Sequence, residues 1–145
     1  MKTLLAILSV LITFQARSAS PYEHRIVASV LCAEAMGEGE KGMIAVAEVI
    51  RNRANESGKT PLQVVVKRNE FSSLNKTTPD RLYKKYSKAK PFPVALRIAQ
   101  TCYTNKLPGI TKGATFYDNK RNHPYWLSEV RMVAVVGNHN FYVPR

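Results

Sequence analysis

The chain has 145 residues and carries 22 Lys and Arg against 10 Asp and Glu, a formal net charge of +12 at pH 7. This length allows one domain with a buried core and a cleft, and it excludes a second domain of ordinary size. The positive charge favours an anionic partner such as nucleic acid, an anionic membrane or bacterial cell wall, although a role in solubility alone is an open alternative.

The N-terminal segment 1–20 has the pattern of a secretory signal peptide. Lys2 supplies the positive charge, an apolar run extends from Leu4 to Phe14, and small residues allow cleavage after Ser18 or Ser20. The apolar run is shorter than the about 20 residues that a membrane-spanning helix needs. An uncleaved membrane anchor is the alternative interpretation.

Residues 21–145 are therefore expected to form one domain, secreted or periplasmic, with no transmembrane segment after removal of the signal. Loss of Lys2 and Arg17 lowers the net charge to about +10. The basic residues are scattered, apart from a cluster between Arg81 and Lys90. This scatter fits an anionic polymer such as cell wall better than specific recognition of nucleic acid, and a monomer is expected.

Four helices are predicted along the chain. The first extends from Tyr22 to Met36, after a Ser-Pro start and before a glycine. The second, Gly42 to Ala54, is almost continuously apolar, which is typical of a helix in the centre of a domain. A Thr-Pro pair begins a short third helix that ends at Val66, and the fourth extends from Pro91 to Asn105.

The remaining segments are predicted to be irregular or extended. Residues 75–93 are polar and lysine-rich and are interpreted as a surface excursion. Residues 114–117 and 139–143 are short, aromatic and β-branched, and they can pair as strands of a small sheet, with Trp126 in a loop between them. The predicted fold class is mainly α (α+β), a helical domain with a small β hairpin or sheet near its cleft.

Cys32 and Cys102 are the two cysteines, 70 residues apart in the sequence. In an oxidising compartment an even count favours a disulfide, and closing so long a loop adds a few kcal/mol of stability. Two buried free thiols are the alternative. The three histidines stand alone in sequence and no CxxC pair occurs, so neither a metal site nor a cofactor is predicted.

Glu34 is the strongest candidate for chemistry. It lies at the end of an apolar helix, on or beside the face that carries Ile26 and Val27. Burial disfavours the charged form of a carboxylic acid, and a protonated acid can donate its proton to a substrate. The glycines that follow allow close approach of a ligand. The alternative is a salt bridge to Arg51 or Arg53.

Other candidates lie nearby or late in the sequence. Glu38 is either the second carboxylate that glycosidases use or, as we favour, an acceptor of hydrogen bonds from a loop. Trp126 and Tyr142 are singled out among late aromatic residues that suit sugar stacking, with core packing as the alternative. His139 is either a general base or a positioning residue, and we favour positioning because no partner nucleophile lies near it in sequence. The late aromatic residues are Phe116, Tyr117, Tyr125, Trp126, Phe141 and Tyr142.

Six segments together resemble, in the same order, the motifs of the SleB-like cell wall hydrolases, the family that includes spore cortex-lytic enzymes. Any one of them is weak, but six in order are specific. The segments are 31–42 (LCAEAMGEGEKG), 45–53 (AVAEVIRNR), 70–72 (EFS), 114–117 (ATFY), 124–126 (PYW) and 137–142 (GNHNFY).

The resemblance implies a lysozyme-like catalytic domain that acts on peptidoglycan as a lytic transglycosylase or muramidase, without a cofactor. The catalytic glutamate of the family falls on Glu34, which would protonate the bond between N-acetylmuramic acid and N-acetylglucosamine and then act as base. Tyr142 would stabilise the developing positive sugar. The matching motifs imply these substrate-binding residues: Glu38, Phe71, Ser72, Thr115, Tyr117, Trp126, His139 and Tyr142.

The sequence departs from the family pattern at Met36, where arginine is usual, and at Asp118, where histidine is common. A cysteine often found before the Phe-Ser turn is absent. These departures affect local hydrogen bonding and leave Glu34 in place. Two alternatives are kept: an N-acetylmuramoyl-L-alanine amidase, and a non-catalytic cationic protein that binds cell wall or nucleic acid.

Overall fold

The computed structural model describes residues 18–145, and the predicted signal peptide lies outside the described residues except for its last three positions. Within this range five α-helices precede a three-stranded antiparallel sheet, which confirms the predicted fold class. None of these helices is long and apolar enough to cross a membrane. The elements are α1 (Pro21–Ala35), a 3-10 helix (Met36–Glu38), α2 (Gly39–Ser57), α3 (Pro61–Val66), a 3-10 helix (Ser72–Leu74), α4 (Pro79–Tyr86), α5 (Phe92–Thr101), β1 (Phe116–Asn119), a 3-10 helix (Tyr125–Glu129), β2 (Val130–Val136) and β3 (His139–Pro144).

The starts of α1, α3 and α4 are set by local sequence. In each, a Ser or Thr caps the helix and a proline occupies its first position, where no backbone N–H is needed. At α1 the Ser20 hydroxyl accepts from the Glu23 amide at 3.3 Å, and the Glu23 carboxylate accepts from the Ser20 amide at 2.7 Å. Such a reciprocal cap satisfies two backbone donors that would otherwise lack partners.

Helix α2 separates two hydrophobic clusters. One face packs against α1 and α5 in the main core, where Met43, Val46 and Ile50 are at most 2% exposed. The other face carries Ala45 and Val49, which pack against the sheet side of the molecule. A helix that is buried on both faces needs a nearly continuous apolar sequence. The sequence of α2 has this pattern, and its central position was predicted from it.

The sheet has the order β1-β3-β2, and both predicted strands are present and paired. Tyr117 of β1 lies opposite Phe141 of β3. Strand β2 was not predicted. Its register shifts between Met132 and Ala134, and a bulge of this kind breaks the alternation of buried and exposed residues by which a strand is recognised.

The expectation that residues 75–93 are irregular is wrong, because α4 lies within them. Thr78 accepts a hydrogen bond from the amide of Arg81, and Pro79 opens the helix, as at α3. Leu82 is the one residue of α4 buried in the core. A lysine-rich helix with so narrow an apolar face resembles a solvated loop in composition, which explains the error.

The expected disulfide is also wrong: Cys32 and Cys102 are free and buried. The Cys102 thiol is directed at α2, where it donates to the Ala47 carbonyl at 3.7 Å. Burial raises the pKa of the Cys32 thiol to about 11 and that of the Cys102 thiol to about 12. Both therefore act as small apolar core residues rather than as a covalent link.

A buried carboxylate fixes the segment that leads into the sheet. Glu48 of α2 is 0% exposed. It accepts backbone hydrogen bonds from Gly109 at 2.5 Å, Ile110 at 2.9 Å and Thr111 at 2.8 Å, and a fourth from the Thr111 hydroxyl at 2.7 Å. Four donors replace the water that the carboxylate loses on burial, and they hold this loop against α2.

Replacement of Glu48 by glutamine should lower the free energy of unfolding by about 3 kcal/mol, because the amide loses the charge and turns an NH2 group toward existing donors. Urea unfolding followed by circular dichroism measures this change. Glu56→Gln is the matched control, since Glu56 is exposed on the same helix and should change stability little. Equal unfolding midpoints for both variants would contradict the role assigned to Glu48.

Iodoacetamide should modify neither cysteine in the folded, unreduced protein at pH 8. With a thiol pKa of about 11, roughly one Cys32 side chain in a thousand is a thiolate at that pH, and the site is buried. After unfolding in urea without reductant, mass spectrometry should detect two adducts per chain. Absence of adducts in the unfolded, unreduced protein would instead indicate a disulfide.

Candidate active site

Glu34 occupies the last turn of α1, one residue before the helix ends, and is half-buried. The hydroxyl of Tyr117 donates to its Oε2 at 2.7 Å. The backbone amide of Ser73 donates to its Oε1 at 3.3 Å. The carboxylate thus lies where α1, the 3-10 helix Ser72–Leu74 and strand β1 meet, with one hydrogen bond to each oxygen.

A cleft of about 540 Å³ opens beside this carboxylate. It brings together Glu34, Phe71, Ser72, Tyr117, Trp126 and His139 from the predicted set. Most of the residues that line the cleft are polar or charged. The other lining residues are Arg53, Asn69, Glu70, Asn75, Phe116, Asp118, Asn119, Asn122, Pro124 and Tyr125.

Glu34 does not form the salt bridge considered as its alternative role. Within residues 18–145, Arg53 pairs with Glu70 at 3.2 Å and donates through Nε to the Thr115 carbonyl at 2.7 Å. Arg51 donates to Asn52 at 3.3 Å. Burial lowers the pKa of Arg53, and the negative charge of Glu70 opposes that shift. Glu34 is therefore left with two uncharged donors.

The other two carboxylates that line the cleft are engaged. Glu70 is bound by Arg53 at 3.2 Å and by Lys67 at 2.8 Å. Asp118 accepts from the Tyr142 hydroxyl at 2.9 Å and is 7% exposed. Within residues 18–145, Glu34 is thus the one acidic residue lining the cleft that is neither in a salt bridge nor fully buried.

Tyr117 is held in place by an aromatic cluster. Its ring stacks on Phe141 with 5.9 Å between the ring centroids, meets His139 in a T-shaped arrangement at 5.5 Å and lies tilted against Phe71 at 6.5 Å. Burial, followed by the negative charge of Glu34 and the hydrogen bond to it, raises the pKa of Tyr117 well above 10. Its hydroxyl therefore remains a hydrogen-bond donor throughout the neutral and mildly alkaline range.

Tyr142 has a different place from the one predicted. It is 7% exposed, donates to Asp118 and does not line the cleft. Burial and the hydrogen bond to Asp118 raise its pKa. Its ring contacts Trp126 at 5.4 Å, so it supports that side chain from behind. The tyrosine that reaches Glu34 is Tyr117, which lies opposite Phe141 in the sheet, whereas Tyr142 lies opposite Phe116.

Thr115 and Glu38 also lie outside the cleft lining. Thr115 is 4% exposed and donates its backbone amide to the Tyr142 carbonyl at 3.0 Å. Glu38 accepts from the Asn138 amide at 2.9 Å and from its side chain at 3.2 Å. Gly137 has φ of 57°, and a Cβ there would collide with the Glu38 carboxylate. These contacts join α2 to the β2–β3 turn and agree with the structural role that we favoured for Glu38.

The remaining predicted residues differ in exposure. Phe71 is 2% exposed, with Arg53 above its ring at 5.3 Å, so it supports the cleft from below. Ser72 is exposed, and Trp126 is half-buried against Phe116 at 5.2 Å. His139 is 8% exposed, and its Nδ1 has no hydrogen-bond partner within the described residues.

Several lining residues were not identified from sequence. The four asparagines Asn69, Asn75, Asn119 and Asn122 lie in or next to loops, whose positions depend on tertiary packing. The Ser73 amide was also missed, because a backbone donor has no sequence signature. Tyr125 is 95% exposed at the cleft, and its place in the PYW segment was the available signal.

Comparisons with known proteins agree with the motifs. A family model described as cell wall hydrolase matches residues 37–142. The fold is similar to the catalytic domain of the germination-specific lytic transglycosylase SleB from Bacillus anthracis, with a TM-score of 0.69 and 22% identity over 88% of this chain and 98% of that one. No curated protein matches the chain significantly.

The raised pKa of Tyr117 predicts an alkaline loss of stability. Below the unfolded pKa of about 10 the neutral tyrosine favours the fold, and this contribution is lost as the pH rises above 10, because the unfolded chain releases the proton first. Wild type should therefore lose stability more steeply than Tyr117→Phe above pH 10, by up to about 1.4 kcal/mol per pH unit.

Urea unfolding at pH 8, 10 and 11 measures this difference. Tyr22→Phe is the control, since Tyr22 is 47% exposed on α1 and should follow the wild-type slope. Parallel pH profiles for wild type and Tyr117→Phe would contradict the environment assigned to Tyr117.

Proposed function

The chain belongs to the cell wall hydrolase family, and we propose that it cleaves peptidoglycan between N-acetylmuramic acid and N-acetylglucosamine as a lytic transglycosylase, with Glu34 as acid and base. The observation that carries this proposal is the half-buried carboxylate of Glu34, which has no salt bridge among residues 18–145, lines a polar cleft and accepts a hydrogen bond from Tyr117. The similarity in fold to a lytic transglycosylase domain supports the choice of reaction.

In the first step, protonated Glu34 donates its proton to the glycosidic oxygen while the bond from that oxygen to C1 of the muramic acid breaks. Negative charge then develops on the carboxylate. The Tyr117 hydroxyl and the Ser73 amide already point at its two oxygens, at 2.7 and 3.3 Å, and stabilise that charge without rearrangement. These two hydrogen bonds strengthen as the proton leaves Glu34. They therefore stabilise the transition state more than the ground state.

In the second step, the C6 hydroxyl of the same muramic acid attacks C1, and the Glu34 carboxylate takes the hydroxyl proton. A 1,6-anhydro ring forms, no water is consumed, and Glu34 returns to its protonated form. This route requires one acid–base residue, whereas hydrolysis with two carboxylates requires a second free one. The engagement of Glu70 by Arg53 and of Asp118 by Tyr142 supports the one-carboxylate route.

We assign sugar binding to the aromatic and polar side chains of the cleft. Tyr125 at 95% exposure and Trp126 beside it present rings on which sugar faces can stack. Ser72 offers a hydroxyl at the same cleft. His139 packs against the Tyr117 ring in a T-shaped arrangement and, in this proposal, positions it; its Nδ1 is buried and has no hydrogen-bond partner within the described residues.

We also propose that the protein is secreted or periplasmic after removal of a signal peptide that ends at Ser18 rather than at Ser20. Cleavage after Ser18 retains the Ser20 cap of α1, whereas cleavage after Ser20 removes it. Loss of a helix cap costs about 1 kcal/mol. The helix that carries Glu34 therefore favours the earlier site.

Glu34→Gln should lower the rate of muropeptide release from purified sacculi about 1,000-fold, because the amide can neither donate nor accept the proton. Its thermal unfolding midpoint should stay close to that of the wild type. Glu38→Gln is the matched control: it should retain activity within a few-fold while losing stability, since Glu38 bonds Asn138 rather than facing the cleft.

Mass spectrometry of the wild-type digest identifies the reaction. Anhydro ends support transglycosylation, and reducing ends indicate a muramidase. Free peptides indicate an amidase, and binding to sacculi without any release indicates a protein that only binds wall. Equal release by wild type and Glu34→Gln would overturn the role of Glu34.

A further inference from the structure

A cationic pocket of about 400 Å³ lies next to the cleft, between α4 and the segment that begins at Ser72. Three of its side chains are cations and none is a carboxylate. We name it the α4 pocket. It is lined by Ser72, Ser73, Asn75, Lys76, Thr77, Arg81, Leu82 and Lys85.

The cations of the α4 pocket have no acidic partner in the part of the chain that the structure describes. Lys76, Arg81 and Lys85 form no salt bridge with any of residues 18–145. Arg81 and Lys85 are four residues apart on one helix, so they lie on the same face and repel each other. An anion bound between them would relieve that repulsion, which makes the pocket electrostatically suited to a negatively charged group.

The α4 pocket is continuous with the cleft that contains Glu34. Ser72 and Asn75 line both. Ser73 joins them more directly: it lines the α4 pocket, and its amide donates to Glu34. Its hydroxyl is buried and has no partner within the described residues, so a ligand group in the pocket would accept its hydrogen bond only after the side chain rotates toward the pocket.

We propose that the α4 pocket binds a carboxylate of the stem peptide carried by the muramic acid at the cleft, so that the enzyme favours glycan strands with intact peptides. This inference rests on the proposed function, which places a muramic acid beside Glu34. Muramic acid carries its peptide on a lactyl group, and one extended residue spans about 3.3 Å, so peptide carboxylates lie within reach of a pocket that adjoins the cleft.

The chemistry of the α4 pocket agrees with this ligand. Arg81 can hold a carboxylate with two parallel hydrogen bonds, and Lys85 adds a point charge. Leu82, 4% exposed, gives the pocket one apolar contact suited to the methyl group of an alanine residue. A phosphate polymer of the wall would also be attracted by charge. One attached through the C6 hydroxyl of the muramic acid at the cleft would block the ring closure that the proposed reaction needs, whereas a stem peptide leaves that hydroxyl free.

The test compares two substrates: glycan strands with stem peptides, and the same strands after an amidase has removed them. For the double variant Arg81→Gln/Lys85→Gln, KM on peptide-bearing strands should rise about 10-fold, which corresponds to about 1.4 kcal/mol of binding. Its kcat, and its KM on peptide-free strands, should stay within two-fold of wild type. The variant Arg81→Lys/Lys85→Arg, which keeps both charges, should recover most of the loss.

The matched control is Lys41→Gln/Lys106→Gln, which removes the same charge from exposed positions outside both the cleft and the α4 pocket. It should behave as wild type on both substrates. An equal loss on both substrates by the α4 variant would mean a contact to the glycan, and an equal loss by the control would mean long-range attraction. Either result, or no change at all, would overturn the proposal.

Binding in the Glu34→Gln background separates this inference from the proposed function. Calorimetry should detect about 10-fold tighter binding of a disaccharide tetrapeptide than of the same disaccharide without peptide, and Arg81→Gln/Lys85→Gln should abolish the difference. If wild type released no muropeptides but this difference remained, the function would fail and the pocket would stand. If teichoic acid, and not the muropeptide, bound in an Arg81-dependent manner, the stem-peptide assignment would fail.

Discussion

The buried carboxylate of Glu48 is the constraint on which the rest of the site depends. Its four hydrogen bonds fix residues 109–111 against α2, at a depth where an unpaired charge would cost several kcal/mol. Two further polar side chains of α2 continue the attachment: Asn52 donates to the Ala114 carbonyl at 2.9 Å and Arg53 to that of Thr115 at 2.7 Å. Strand β1 begins at the next residue, so its position relative to the helices is determined by polar contacts in an otherwise apolar interior.

That position determines the chemistry, because β1 carries Tyr117 to Glu34 from 83 residues away in sequence. The carboxylate belongs to the helical core, the hydroxyl to the sheet, and the second donor, the Ser73 amide, to a turn between them. Three parts of the fold must be in place before both oxygens of Glu34 have a partner. The family match begins at residue 37 and does not include Glu34, so its assignment depends on this geometry and on the order of the motifs.

Features that depend on local sequence pattern could be predicted from the sequence. Features that depend on contacts between distant residues could not. Caps and apolar periodicity located α1, α2 and α3, and the position of Glu34 at the end of an apolar helix was visible from spacing. The role of Glu48 could not be predicted, because a single glutamate in an apolar run does not show which backbone amides will donate hydrogen bonds to it. Tyr142 was chosen over Tyr117 for the same reason: strand register, with Phe116 opposite Tyr142, decides which tyrosine faces the acid. Strand β2 escaped detection because its bulge breaks the period of two.

Two electrostatic interactions around the cleft act over different distances: the attraction of a ligand by the cations of α4, and the hydrogen bond from Tyr117 to Glu34. Attraction of an anionic strand by the exposed cations of α4 acts over about 8 Å at physiological ionic strength and weakens as salt is added. The hydrogen bond from Tyr117 to Glu34 acts at 2.7 Å between half-buried groups, where salt has little effect. Because Glu70 is paired with Arg53 and Lys67, and Asp118 is buried and bonded to Tyr142, these two carboxylates oppose the attraction of an anionic strand only weakly. The fold thus places the proposed acid, Glu34, beside the unpaired positive charge of the α4 pocket, so that one anionic substrate could contact both in the proposed reaction.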